Sequence, residues 1–143
     1  MDNKMKIEFL SKSHNEGFAR MVVSAFVLEC DPTIEELNDI KTAVSEAVTN
    51  SIIHGYNLAQ DKIITMEGDI KDNTVTITIS DNGKGIRDIK KAREPMWSER
   101  PDDERSGLGF TIMESFMDTV LVQSAVGEGT RVILTKHIGE GRE

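Results

Sequence analysis

The chain has 143 residues, a length at which we expect a single domain covering residues 1–143. Asp and Glu outnumber Lys and Arg by 25 to 17, and the resulting formal charge of −8 disfavours direct nucleic-acid binding, because phosphate backbones are bound by basic surfaces. The single cysteine excludes an intrachain disulfide, and no apolar run is long enough to cross a bilayer, so we expect a cytoplasmic protein that binds no membrane.

The N-terminal part of the sequence predicts a strand followed by an amphipathic helix. Residues 6–10 alternate apolar with charged side chains, which is typical of a half-buried strand. Helical periodicity covers residues 15–29. The predicted inward face carries four apolar side chains: Phe18, Met21, Val22 and Ala25. Arg20, Val23 and Val27 lie on the opposite face, which predicts either a partner-contact patch or a helix buried on two sides.

A second, longer helix is predicted from a capping-box pattern at Thr33 and Glu36 to about His54, where Gly55 ends it. Its apolar stripe comprises Leu37, Ile40, Val44, Ala47 and Val48. Glu46 and Asn50 lie off that stripe, one helical turn apart, so their side chains project together. A carboxylate beside an amide oxygen suits general-base catalysis and cation binding, although a solvated helix face has the same pattern.

The rest of the sequence predicts a hairpin, a long loop, a third helix and a final pair of strands. The hairpin strands are residues 62–70 and 73–80, and the loop, with one short helix, extends to Gly107. The last helix and strands are predicted at residues 107–118, 120–124 and 130–137. Because strands and helices interleave without strict β-α-β alternation, we predict an α+β fold, a two-layer sandwich with a mostly antiparallel sheet and helices on one face.

Two glycine-containing segments flank the long loop. Asp81-Asn82-Gly83-Lys84-Gly85 directly follows a strand, where Asp81 offers a hydrogen-bond acceptor and glycines allow a ligand to approach the backbone. An ordinary strand-exit turn has the same composition. Ser106-Gly107-Leu108-Gly109 precedes a helix, so its amides could bind phosphate, or Ser106 could act only as an N-cap.

In their order and spacing these segments resemble the motifs of the GHKL superfamily of ATPases and kinases. Residues 46–50 are similar to its N box, residues 81–85 to its adenine-binding glycine box, and residues 106–109 to its second glycine box. Thr130 matches the threonine of the final Gly-Thr element. The resemblance implies a GHKL, or Bergerat, ATP-binding domain with an ATP lid at about residues 86–106.

Within this superfamily the chain resembles the stand-alone anti-sigma serine kinases, the sporulation type more than the stress-response type. The resemblance implies that Asp81 accepts a hydrogen bond from adenine, that Asn50 binds Mg²⁺ and that Glu46 activates the attacking serine. Arg105 would meet the γ-phosphate of ATP. The remaining matched residues would surround the nucleotide: Gly83, Gly85, Ser106, Gly107, Leu108, Gly109 and Thr130.

The same resemblance implies two protein partners. The chain would bind a sporulation sigma factor, and it would phosphorylate an anti-anti-sigma factor on serine, with Arg20 in the partner contact. A homodimer is also expected, through the amphipathic strand around Ile7 and Phe9. Two alternatives remain open from the sequence: a binding module that uses ATP without phosphotransfer, and an ATPase without a protein acceptor.

Overall fold

Five strands, four α-helices and a short 3-10 helix, Leu28–Cys30, lie within residues 2–94 and 109–139, the part of the chain that the computed structural model describes. The strands are β1 (Asn3–Leu10), β2 (Ile63–Lys71), β3 (Thr74–Asp81), β4 (Thr119–Ala125) and β5 (Gly129–His137). The helices are α1 (His14–Val27), α2 (Ile34–Asn50), α3 (Ile89–Ala92) and α4 (Gly109–Phe116). The predicted order of strands and helices is confirmed.

The strands form one antiparallel sheet in the order β1-β2-β3-β5-β4. Side chains alternate along the central strand β3, where Val75, Ile77 and Ile79 are buried and the threonines between them are only half-buried. The buried face carries the helices, since α1 contacts β1 and β2, α4 contacts β4, and α2 contacts β3 and β5. The predicted two-layer α+β fold is therefore confirmed.

Helix α2 supplies the centre of the core. At its start the Thr33 hydroxyl accepts from the Glu36 amide at 3.0 Å, and the Glu36 carboxylate accepts from the Thr33 amide at 2.9 Å, so the predicted capping box is present. The stripe residues Ile40, Val44, Ala47 and Val48 are fully buried, and Leu37 packs against the core from its rim.

The end of α2 differs from the prediction. The α-helix stops at Asn50 and the chain continues as a π turn, Ser51–Gly55, which is closed by a hydrogen bond from the Tyr56 amide to the Ser51 carbonyl at 2.8 Å. This wider turn carries Ser51 and Gly55 toward the end of β3, where the candidate site lies.

The predicted orientation of α1 is wrong. Val23 and Val27 are fully buried, whereas Phe18 is 46% and Met21 75% exposed. The physical reason is the packing of α1 on α2: Ala19, Val23 and Val27 recur every four residues, and such a ridge of short side chains lets two helices approach closely. A partner patch built on exposed Val23 and Val27 is thereby excluded.

No helix in the described ranges has the length and apolar character that crossing a bilayer requires.

Candidate functional site

The candidate site is built around Asp81, at the point where β3 ends. Asp81 continues the inward-facing series of β3 and is only 6% exposed. The hydroxyl of Ser51, in the π turn, donates to Oδ2 of Asp81 at 2.7 Å, and the amide of Gly83 donates to Oδ1 at 2.9 Å. The carboxylate is therefore held in one orientation from two directions.

The environment of Asp81 acts on its charge in two opposed ways. Burial raises the pKa of the carboxyl above its ordinary value, while the hydrogen bonds from Ser51, Gly83 and the backbone of Thr130 favour the ionised form. An ionised carboxylate offers about four lone-pair sites, and these three donors do not fill them. Asp81 thus retains the capacity to accept a hydrogen bond from a ligand.

The two glycines of the glycine box, residues 81–85, are required by contacts with distant segments. A Cβ at Gly83 would lie 2.2 Å from the carbonyl oxygen of Gly55, and one at Gly85, where φ is +77°, would lie 2.0 Å from the carbonyl oxygen of Ala125. The Lys84 amide between them donates to the Gly55 carbonyl at 3.0 Å. An ordinary strand-exit turn would impose neither contact.

Glu46 and Asn50 lie together beneath the start of α4, as their spacing predicts. Both are half-buried, so this face of α2 is only partly exposed to solvent. A Cβ at Gly109 would lie 3.2 Å from the Asn50 amide group and 3.4 Å from Oε2 of Glu46. The first residue of α4 thus leaves room beside both polar side chains.

The donor set next to Gly109 suits a hard cation only in part. Glu46 offers carboxylate oxygens and Asn50 an amide oxygen, which are ligand types that Mg²⁺ accepts. Among the described residues, no group of three or more His, Cys, Asp or Glu side chains could hold a metal ion. A magnesium ion held by Asn50 would therefore take most of its ligands from water and from phosphate oxygens, which is its usual coordination in nucleotide sites.

Thr130 lies beside Asp81, because the two residues are paired across β3 and β5. Its hydroxyl is 2.8 Å from that of Ser124 in β4. Ser124 also accepts from the Ile86 amide at 2.8 Å, so the chain leaving the glycine box is fastened to the β4–β5 hairpin. The structure thus brings Asp81, Thr130 and the box together where β3 ends and β5 begins.

Four predicted site residues lie outside the described part of the chain: Arg105, Ser106, Gly107 and Leu108. Of the predicted lid, residues 86–94 are described, and they contain the expected short helix, α3. Arg93 follows it, and its guanidinium contacts the Glu114 carboxylate at 2.6 Å and donates to the Val120 carbonyl at 2.9 Å. This side of the lid is therefore fastened to α4 and β4.

Arg20, predicted to contact a partner, is exposed on α1 and lies 3.7 Å from the Glu16 carboxylate one turn away. It is remote in sequence from the site residues and takes no part in the hydrogen bonds around Asp81 that are described above.

Sequence reasoning missed three hydroxyl residues of the site: Ser51, Ser124 and Tyr56. Ser51 begins the π turn directly after the N box and Tyr56 follows the turn, and this closeness to the motif is the one indication that the sequence offers. The contacts themselves join residues that are 30, 38 and 26 positions apart, so no local pattern predicts them.

Comparison with known proteins places the chain among ATPase-like domains. Residues 11–136 match the family described as "Histidine kinase-like ATPase domain". The chain is 57% identical over 136 residues to an anti-sigma F factor of Clostridium perfringens, a match that covers 95% of this chain and 97% of the relative. Identity to an anti-sigma F factor of Clostridium botulinum is 61% over 135 residues, covering 94% of each chain.

A more distant relative is an anti-sigma F factor of Geobacillus kaustophilus, which is 52% identical over 99% of this chain and 97% of its own length. Among solved structures, the RsbU and RsbW domains of a Mycobacterium tuberculosis protein align with a TM-score of 0.65 at 17% identity. That alignment covers 95% of this chain but 32% of the longer one, and at such low identity it supports the fold alone.

Proposed function

The chain belongs to the histidine kinase-like ATPase domain family and, within it, to the anti-sigma F factors. From this membership we propose that it binds ATP and inhibits sigma F, a sporulation sigma factor. We propose further that it phosphorylates the anti-anti-sigma factor on serine. The sporulation type that the motifs resemble agrees with the relatives. The proposed inhibition of a sigma factor rests on the relatives, which are anti-sigma F factors. The proposed kinase reaction rests on the residues of the site.

The observation that carries the proposal is the buried, oriented carboxylate of Asp81. It accepts from Ser51 and Gly83 and has acceptor capacity left for the exocyclic amino group of adenine. Glycine-box backbone and Thr130 border the same place, and Gly83 and Gly85 let that backbone pack against the carbonyls of Gly55 and Ala125, which would hold the box in position beside the base. The phosphates would then extend toward Asn50 and the start of α4.

The chemistry would be carried out by two side chains of α2. Glu46 would take the proton from the attacking serine hydroxyl, and Asn50 would hold Mg²⁺, which neutralises phosphate charge when bound. Gly109 would give its amide to the phosphates, together with Ser106, Gly107 and Leu108, and Arg105 would meet the γ-phosphate. The roles of residues 105–108 rest on the sequence resemblance.

Partner choice would depend on the nucleotide. With ATP bound, the surface that includes Arg20 would favour the sigma factor; with ADP, the chain would retain the anti-anti-sigma factor instead. A ligand can shift this preference only by its differential affinity for two states, and a coupling of about 1–3 kcal/mol gives a 5- to 150-fold effect. We place the protein in the cytoplasm, where its partners act.

A homodimer through β1 is part of the proposal. β1 is an edge strand, because the sheet order places it beside β2 alone, and an edge strand is available for pairing with a second copy. The exposed residues along β1 include Lys4, Lys6 and Glu8, which are of both charge signs and so suit an antiparallel self-contact.

One reaction separates the kinase from its two alternatives. The protein is incubated with γ-labelled ATP, Mg²⁺ and the anti-anti-sigma factor, and label is followed into protein and into free phosphate. Label on the serine of the acceptor supports the kinase. Free phosphate without labelled acceptor indicates an ATPase, and bound, unconsumed ATP indicates a binding module; either of these results contradicts the proposed phosphotransfer.

A further inference from the structure

We infer that Tyr56 is a positioning residue for nucleotide recognition, because its phenol hydroxyl fixes the backbone of the glycine box next to Asp81. The inference rests on the proposed function, in which Asp81 accepts from adenine. The hydroxyl accepts from the Asn82 amide at 2.7 Å and donates to the Ile63 carbonyl at 2.5 Å. One side chain thereby joins the start of the glycine box to the start of β2.

The π turn explains why Tyr56 reaches this position. Tyr56 directly follows the turn, and its own amide closes the turn on the Ser51 carbonyl at 2.8 Å. Asn57 and Leu58, which come next, both have positive φ, so the chain reverses immediately after the tyrosine. The aromatic ring packs against the core, while the hydroxyl lies between the start of β2 and the residue that follows β3.

The two ends of this short segment hold two successive residues of the site. Ser51, at its start, donates to the side chain of Asp81, and Tyr56, at its end, accepts from the backbone of Asn82. The Asn82 amide belongs to the peptide that links Asp81 to the rest of the box. Fixing that peptide fixes the backbone that carries the Asp81 side chain, whereas the hydrogen bonds from Ser51 and Gly83 hold the carboxylate itself.

Only the protonated phenol can make both hydrogen bonds at once, since the proton is needed to donate to the Ile63 carbonyl. Burial raises the pKa of Tyr56, and the nearby negative charge of Asp81 raises it further against the opposing effect of the Asn82 hydrogen bond. The phenol therefore stays protonated at neutral pH, and the link is intact whenever the site is in use.

The test compares Tyr56→Phe with a matched control, Ser11→Ala. The Ser11 hydroxyl fastens the same loop in a similar way, because it donates to the Ala59 carbonyl at 2.6 Å and accepts from the Lys62 amide at 3.2 Å. Neither of these hydrogen bonds, which are the ones that the Ser11 hydroxyl makes in the described part of the chain, reaches the glycine box. Ser11→Ala therefore separates general loosening of the loop from loss of the Asn82 contact.

Affinities for ATP and for inosine triphosphate are measured by titration of the full chain with Mg²⁺ present. Inosine triphosphate carries an oxygen where ATP carries its amino group, so it cannot donate there to Asp81. Loss of one ordinary hydrogen bond corresponds to about a two- to tenfold change. We expect Tyr56→Phe to weaken ATP binding by that factor and to leave the affinity for inosine triphosphate unchanged.

In Ser11→Ala the ratio of the two affinities should equal that of the parent. The inference is overturned if Tyr56→Phe keeps the parental ratio of ATP affinity to inosine triphosphate affinity. It is also overturned if both variants bind both nucleotides more weakly by the same factor, since that result indicates a merely structural role. A parent that does not prefer ATP over inosine triphosphate contradicts the proposed role of Asp81 instead, and the inference then loses its basis.

Discussion

Replacing Ser51 by alanine removes the hydroxyl that donates to Oδ2 of Asp81 at 2.7 Å in a site where both residues are nearly inaccessible to solvent. A hydrogen bond to a charged group contributes about 1.5–3 kcal/mol to the free energy of unfolding, against about 0.5–1.5 kcal/mol for a neutral pair. We therefore expect Ser51→Ala to destabilise the protein by about 1.5–3 kcal/mol at neutral pH, and by less in acid.

The sign of this pH dependence follows from the pKa of Asp81. Burial raises that pKa in the folded state, so the free energy of unfolding contributed by this group is highest below the ordinary value of 3.8 and falls as pH rises through the folded pKa. Removing the Ser51 donor raises the pKa of Asp81 further. The difference between variant and parent must then grow with pH above 3.8, and it must level off once Asp81 is ionised in both.

Urea unfolding at a series of pH values measures this difference, and Ser45→Ala is the matched control. Ser45 is a buried serine of the adjoining helix whose hydroxyl has no hydrogen-bond partner within the described part of the chain. Its replacement should be neutral or stabilising, with no pH dependence. The reasoning is refuted if Ser51→Ala costs the same free energy at acid and neutral pH, or if the two variants behave alike.

Three further predictions concern catalysis, metal binding and packing. Glu46→Gln should lower the rate of phosphotransfer by about 10²- to 10⁴-fold and keep the affinity for ATP, because the amide preserves the shape of the side chain but not its basicity. An unchanged rate would show that Glu46 is not the general base. Asn50→Ala should weaken ATP binding in the presence of Mg²⁺ more than in its absence, and equal losses in the two titrations would contradict metal binding by Asn50. Val23→Ala should lower the free energy of unfolding, measured by urea denaturation, by about 2 kcal/mol, because Val23 is buried. Met21→Ala should lower it by less than about 0.5 kcal/mol, because Met21 is exposed. A larger loss in Met21→Ala than in Val23→Ala would support the orientation of α1 predicted from sequence.

The parts of the fold that sequence could predict are those set by local chemistry. The capping box at Thr33 and Glu36 fixes the start of α2, and strict alternation along β3 fixes which side chains face the helices. Helix α1 shows the limit of such patterns. Both of its faces are rich in apolar residues, so periodicity identifies a helix but cannot say which face lies inside.

The candidate site divides in the same way. Asp81, Glu46 and Asn50 belong to short motifs whose order in the chain is informative, and the structure brings Asp81 together with Thr130 and Glu46 together with Asn50. Ser51 and Tyr56 act through contacts across the fold, which depend on the π turn at the end of α2. A π turn has no distinctive sequence pattern, so their roles become visible only when the chain is folded.

The most direct test of the account is nucleotide binding by the parent and by Asp81→Asn, titrated with ATP in the presence of Mg²⁺, with urea unfolding as a check that the variant is folded. The amide retains the size of the carboxyl group but loses acceptor capacity on one side, so it can no longer hold the Ser51 and Gly83 hydrogen bonds and also accept from adenine. We predict saturable binding by the parent and at least a tenfold weaker affinity, about 1.4 kcal/mol, in the folded variant. Equal affinity in parent and variant, or no ATP binding by the parent, would contradict an adenine site at Asp81.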